Sequence, residues 1–394
     1  MMTAQQITLG NCSRNTRKKI VNRIRTVSNK RICVFCECWE TGGIESFLFN
    51  VVSNMDLNGL EIDVVVSQFK AGVFSEKMSA LGVNFRELSG SQRKIFRNHR
   101  MFRKILKERQ YNVVHLNIFH ALSFVYGRIA KKCGIRKIIA HSHNSALRRS
   151  WVRAVKLAIH DLYKMIRYRS FTDFWACSSA AAEFMFPKSI IKQNKYTFIP
   201  NGIDVEKFAF DSRKRNIFRE KLKIGDKLLI VNIGRLCYQK NQSFLLNTAK
   251  CLTKRGADFT LLFVGDGDMI NELREKADKL QINKNVIFFG TTSDVPSVLS
   301  SADVFVFPSL FEGLGIAAVE AQAAALPVIC SENVPNEAFI TERAKAVPLD
   351  AELWCEEILN AAKFVDRSND VIQSVKRRFD IKYVSALIEE HYRK

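Results

Sequence analysis

No stretch of this chain approaches the roughly 18 uninterrupted apolar residues that a bilayer-spanning helix needs, so nothing in it is expected to cross a membrane. The opening residues are polar and then basic, with no apolar core, which predicts no secretory signal peptide. Low-complexity tracts and internal repeats are absent. Ten cysteines are scattered without a paired framework, which predicts reduced thiols rather than a disulfide scaffold. Cys33, Cys36 and Cys38 form one local group, but no second cysteine pair or nearby histidine completes a metal set, and the group overlaps an apparent strand. What remains is an ordinary globular composition, 47% hydrophobic and 25% charged over 394 residues, enough for two full domains.

The second half also lacks net charge. The whole formal excess of +22 lies within residues 1–200, and residues 201–394 balance. That asymmetry predicts an acidic partner for one domain only. The basic residues fall in three groups: a leader from Arg14 to Arg25, a run from Arg93 to Arg109, and a run from Arg148 to Arg169. In the last, Trp151, Val155, Ile159, Leu162 and Ile166 recur at helical spacing among the cations. Basic amphipathic helices suit a surface of anionic lipid. The plainer alternative is that they cover their own sheet and expose a solvated outer face.

Strand-like runs at residues 32–35, 62–66, 112–116, 137–140, 174–177 and 197–199 alternate with helical stretches. A second series follows at 228–233, 260–264, 286–288, 304–307 and 328–330. This alternation predicts an α/β chain with two parallel sheets, each covered by helices. Pro200-Asn201-Gly202 marks the linker. The expected division is a basic leader (1–30), an N-terminal domain (31–200), a C-terminal domain (201–370) and a last amphipathic helix (371–394) free to pack back on the N-terminal domain.

Residues 303–327, DVFVFPSLFEGLGIAAVEAQAAALP, show the nucleotide-binding grammar most clearly. A buried strand meets a glycine turn, an Ala-rich helix and a stop before Pro327. Glu312 falls in the turn, at the carboxyl end of a strand, where open α/β sheets bind ligands. Glu320 follows after seven residues, inside an apolar helix where a lone carboxylate needs a partner. Gly313-Leu314-Gly315 opens that helix, whose free N–H groups favour an anion. Arg235, after Gly234, and Lys240 offer a fork and a point charge suited to a diphosphate. Gly265-Asp266-Gly267 permits close backbone approach.

These residues resemble the retaining glycosyltransferases of family 4, built as two Rossmann-like domains facing across a cleft (the GT-B fold). The resemblance runs from about Arg31 onward. It is carried by Gly42-Gly43-Ile44-Glu45, His141-Ser142-His143-Asn144, Pro200-Asn201-Gly202-Ile203-Asp204, Gly234-Arg235-Leu236 with Lys240-Asn241, Gly265-Asp266-Gly267, and Glu312 with Glu320. Within the family the chain looks most like bacterial exopolysaccharide, capsule and lipopolysaccharide enzymes. Leu314 stands where many relatives have Phe, and Ala325 where many have Gly.

The resemblance implies that Glu320 holds the ribose of a sugar nucleotide and that Arg235 and Lys240 grip its diphosphate. Glu312 would face the donor sugar, with Gly313, Leu314 and Gly315 offering backbone amides. Gly43 would closely approach the donor phosphate or the acceptor across the cleft, Gly265 is a further donor-binding position, and His143 would meet sugar hydroxyls. Asn117 and His120 are acceptor candidates. The implied catalytic set is Glu312, His143, Arg235 and Lys240, with same-face attack in which the leaving phosphate takes the acceptor proton. A UDP- or GDP-sugar donor is expected, without a metal or other cofactor. The expected partners are a lipid-linked saccharide acceptor and an anionic membrane surface, with no nucleic acid. The expected place is cytoplasmic, peripheral at the inner face of the membrane. Two alternatives are a nucleotide-sugar epimerase of the same fold and a basic nucleic-acid-binding protein, for which Trp151 and Phe102 would be the stacking residues.

Overall fold

A computed structural model of the chain describes residues 29–40, 43–147, 153–364, 367 and 370–394. Residues 1–28 of the expected leader, Thr41, Gly42, Arg148, Arg149 and Trp151 lie outside the described residues. Two parallel sheets are present. The first has seven strands: β1 (Lys30–Trp39), β2 (Leu60–Phe69), β3 (Asn84–Glu87), β4 (Val113–Ile118), β5 (Lys137–Ser142), β6 (Asp173–Ala176) and β7 (Thr197–Phe198). Their order in space is β3-β2-β1-β4-β5-β6-β7. The second has six: β8 (Leu228–Ile233), β9 (Phe259–Val264), β10 (Val286–Gly290), β11 (Val304–Phe307), β12 (Val328–Ser331) and β13 (Ala344–Val347), ordered β10-β9-β8-β11-β12-β13.

The chain order reverses between β1 and β4 in one sheet and between β8 and β11 in the other. A crevice opens at such switch points beyond the carboxyl ends of the strands. The interior strands are continuous apolar runs because helices cover both faces; β9 (FTLLFV) and β11 (VFVF) are buried throughout. Strand alternation also explains the cysteine group, since Cys33 and Cys36 are buried on opposite faces of β1.

The chain crosses between the sheets twice at one place. Ile203 donates to the Phe379 carbonyl at 2.8 Å and accepts from Ile381 N–H at 2.9 Å. A side chain at Gly202 would stand 3.0 Å from the Ile381 backbone, so the close approach of the two crossings requires glycine there. The C-terminal helical stretch breaks into Asp370–Phe379 and Ile381–Arg393 at Asp380, whose carboxylate caps the second helix by accepting from Lys382 N–H. That second helix buries Ile381, Val384, Ile388 and Tyr392 in the same cluster as β1, β2 and the helix Gly43–Ser53.

The two basic helices differ. Ile95–Arg109 buries Asn98, Phe102 and Leu106, as a helix covering its own sheet does. Arg153–Arg167 buries only His160, and leaves Val155, Ile159, Leu162, Met165 and Ile166 exposed. No helix among the described residues is long and apolar enough to cross a membrane.

Candidate functional site

The turns at the β8–β11 switch point are locked together by their backbones. Gly234 N–H donates to Val264 O, and Leu236 N–H to Asp266 O, each at 2.9 Å. A Cβ on Gly265 would stand 2.1 Å from the Gly234 carbonyl oxygen, so this glycine serves the meeting of two turns as well as its own left-handed φ of +138°. The loop before the next helix is zippered to the loop after β11. Leu310 N–H donates to Gln239 O at 2.8 Å, Gln239 Nε2 to Phe311 O at 3.0 Å, and Asn241 Nδ2 to Pro308 O at 3.2 Å.

This zipper sets Lys240 against Glu312, Nζ to Oε1 at 2.7 Å, with both side chains largely buried. The ammonium also lies 4.4 Å from the centroid of the Phe307 ring. Arg235, one turn away, is exposed and pairs with none of the described residues. It acts weakly on Glu45 of the other domain, whose carboxyl is pushed up by burial against opposing backbone N–H groups and, least, Arg235.

The N-terminal side is built from side chains. The Asn117 amide is oriented by its Nδ2 donating to the Phe35 carbonyl, which leaves Oδ1 to accept from His143 Nε2 at 2.9 Å. His143 therefore carries its proton on Nε2. Burial pushes its pKa down to about 3, so the ring is neutral. Asn117 is fully buried and holds His143; it does not open to the cleft where an acceptor would bind. His120 pairs with Glu37 at 3.4 Å, and Ser123 Oγ donates to the same carboxylate at 2.7 Å. Burial opposes both charges, yet the pairing prevails: Glu37 is lowered and His120 raised.

The halves touch at Gly313. A Cβ there would stand 2.1 Å from the His143 carbonyl oxygen, and the Gly313 carbonyl accepts from Ser178 Oγ. Gly313 thus meets the opposing domain. Gly315 starts the helix Ile316–Ala323 at φ +89°, and Leu314 is buried beside it.

A cleft of about 410 Å³ lies between the halves, lined by Phe119, His143, Asn144, Arg235, Tyr238 and Lys240 among others. The structure therefore brings together His143, Arg235 and Lys240, and Glu312 through its ion pair. Gly43 begins its helix with open space around it and is not among the residues lining this cleft. Glu320 is not among them either. Its carboxyl makes no hydrogen bond to a described residue, and burial pushes its pKa up to about 7, with Lys207 opposing. Phe119 and Tyr238 were not singled out by sequence; each follows a strand by a few residues, which was the available signal. A larger hollow of about 790 Å³ beside β13 contains none of the candidate residues. Among the described residues no cluster of three or more His, Cys, Asp or Glu gathers as a metal set would.

Known proteins resemble this chain in sequence and fold. Residues 41–207 match the family model described as Glycosyltransferase Family 4, and residues 213–385 the one described as Glycosyl transferases group 1. A Bacillus subtilis protein named as the glycosyltransferase EpsF is 29% identical over 85% of this chain and 88% of its own. The Escherichia coli UDP-Gal:alpha-D-GlcNAc-diphosphoundecaprenol alpha-1,3-galactosyltransferase is 29% identical over 60% of this chain and 62% of its own. Among solved structures, Anabaena HepE in complex with UDP and glucose superposes with a TM-score of 0.74 at 18% identity, covering 92% of this chain and 99% of that one. WaaG, a glycosyltransferase involved in lipopolysaccharide biosynthesis, gives 0.66 at 16% identity, covering 92% and 99%. These structures share the GT-B fold of two parallel-sheet domains, and with two matched models spanning most of its length the chain belongs to the family 4 glycosyltransferases.

Proposed function

We infer that the protein is a retaining glycosyltransferase of bacterial surface polysaccharide assembly, moving a sugar from a UDP- or GDP-sugar to a lipid-linked saccharide at the inner face of the cell membrane. The carrying observation is the Lys240–Glu312 pair beside unpaired Arg235, across a cleft from neutral His143. Breaking a glycosyl–phosphate bond builds negative charge on the leaving diphosphate, and two cations, Lys240 held by Glu312 and Arg235 exposed at the cleft, stabilise it as it develops. Glu312 sits within reach of the same ammonium, where it can orient sugar hydroxyls while holding Lys240 in place. A glycosidase pair of carboxylates flanking one bond is not supplied by Glu320, which lies off the cleft wall. No metal is needed for this reading.

The relatives lend support for each partner. The Escherichia coli enzyme's name specifies a UDP-linked donor and a lipid-diphosphate acceptor, and HepE was crystallised with UDP and glucose. The exposed stripe on Arg153–Arg167, flanked by Arg153, Lys156 and Lys164, suits an anionic bilayer surface. Lys156 also acts weakly on His120, the acceptor candidate, so the stripe lies on the side of the molecule toward that residue.

A melting series with UDP-, GDP- and ADP-linked sugars tests the donor site. At about a hundred times Kd, the correct nucleotide sugar stabilises by about 2.7 kcal/mol, which reads as a rise of several degrees. No rise with any nucleotide sugar or nucleoside diphosphate would sink the reading.

A further inference from the structure

Strands β4 and β5 are buried on both faces, and apolar residues would fill their interior positions without leaving polar groups to satisfy. Three residues on one face depart from that: His115 and Asn117, two apart on β4, and His141, which pairs with Asn117 across β5. They belong to one continuous set. Tyr392 Oη, from the C-terminal helix, lies 2.6 Å from His115 Nδ1. His115 Nε2 lies 3.1 Å from His141 Nδ1. The His141 and His143 rings are 4.0 Å apart at their centroids, and Phe47 packs 5.3 Å from the His143 ring. Trp175 closes the side of His115 and His141, at 5.0 and 5.6 Å.

The proton directions follow from satisfaction. The Tyr392 hydroxyl has no other partner among the described residues, so its hydrogen is satisfied by donation to His115 Nδ1. His115 then carries its proton on Nε2 and donates to His141 Nδ1. One hydroxyl thus fixes two neutral tautomers in series. Burial holds both rings' pKa values down, to about 3 for His115. The helix that delivers Tyr392 is itself anchored, since Lys137 and Lys30 donate to the His391 and Arg393 carbonyls at its C-terminus.

The geometry points to Tyr392 as a positioning residue for the transfer site, acting through His115 and His141 to hold the plane of the His143 imidazole at the cleft. It rests on the reading of that cleft as the donor site, and adds a link from the last helix of the chain to the reacting sugar. Asn117 grips the edge of the His143 ring, and His141 packs against that ring at a tilt of 39°. Loosening His141 leaves the ring in place but free to tilt.

The test uses Tyr392→Phe, which keeps the ring and removes only the donor, beside Tyr383→Phe, an exposed tyrosine on the same helix. In ¹⁵N-histidine-labelled protein without ligand, Tyr392→Phe should average the tautomers of His115 and His141 and move the His143 resonances. Tyr383→Phe should move none. With UDP-glucose as probe, kcat for UDP release should fall about threefold to tenfold, the scale of one hydrogen bond, while KM and the melting rise with UDP stay at the wild-type values. Unmoved His143 resonances, an unchanged kcat, or a joint decline of kcat, KM and melting temperature would each overturn the proposal. If the wild type neither binds nor turns over any nucleotide sugar, the donor reading fails; the ligand-free resonances still decide whether Tyr392 governs His143.

Discussion

The two sheets have the same construction and opposite ways of making a site. In the neutral C-terminal half, the strand ends are glycine turns pressed backbone to backbone, and the functional cations ride on a loop zippered by main-chain carbonyls. In the basic N-terminal half, the strand ends carry His, Asn and Glu whose side chains bond to one another through the core. A backbone cradle suits a ligand part that is always the same, a diphosphate. Side-chain arrays suit the part that varies between relatives, the sugar and its acceptor, because each side chain can change singly. On the proposed function, the difference would put the donor nucleotide in the backbone-built half and specificity in the side-chain-built half.

The sharpest way to break that division is Lys240→Ala. Removing one fixed cation from a developing oxyanion costs roughly 10²–10³ in kcat. It also strands Glu312, whose side chain is only 7% exposed, as an uncompensated charge. Breaking a buried pair in this way costs about 3–5 kcal/mol. The double variant Lys240→Ala with Glu312→Gln should regain melting temperature but not activity. His120→Ala, in the other half, should leave release of the nucleotide in water intact and lower only transfer to acceptor. If His120→Ala abolished nucleotide release as well, the halves would not divide the labour as argued.

The same contrast governs what the sequence discloses. The C-terminal strands were readable because buried parallel strands are unbroken apolar runs, and the glycine turns mark their ends. The strands that pattern missed, β3 (NFRE) and β13 (AKAV), are sheet edges, where polar residues protect an unpaired ladder and erase the apolar signal. Lys240 and Glu312 were both singled out for phosphate and sugar. Their ion pair, across 72 residues, was not legible, because loop zippering sets it. His115 shows the limit most plainly. A histidine in a strand has no visible purpose until Tyr392, 277 residues away, is placed against it. Ala325, noted only as a departure from glycine, turns out to hold a left-handed φ of +55° just past the end of its helix, a conformation that favours glycine.

A second contrast concerns surfaces. Helix Arg153–Arg167 presents an apolar stripe, whereas Ile95–Arg109 covers its own sheet with Phe102 and Leu106. Replacing Val155, Leu162 and Ile166 by Ser should weaken binding to vesicles rich in anionic lipid by about a hundredfold or more, at about 1 kcal/mol or more for each inserted side chain. Charge reversal on the exposed face of Ile95–Arg109 should have a smaller, salt-sensitive effect. Equal losses from both helices in cosedimentation would make charge alone responsible and remove the stripe from the account.

The smallest expected effect concerns Glu320, the carboxylate implied to hold ribose yet lying off the cleft wall. Its pKa rises from 4.5 to about 7 through burial. Folded protein therefore keeps a proton that the unfolded chain has released, and the group's contribution to stability is full below pH 4.5 and lost as pH rises through 7. Ribose hydroxyls donating to this carboxylate would favour its ionised form, so nucleotide binding would expel the proton and affinity would climb a few-fold as pH rises toward 7. Calorimetry of UDP binding at pH 6.5, in two buffers of different ionisation heat, counts the protons released. Wild type should release more than Glu320→Gln, with the nucleotide's own titration common to both. Equal release from the two proteins would take the ribose away from Glu320 and leave the donor held by Arg235, Lys240 and the glycine turns alone.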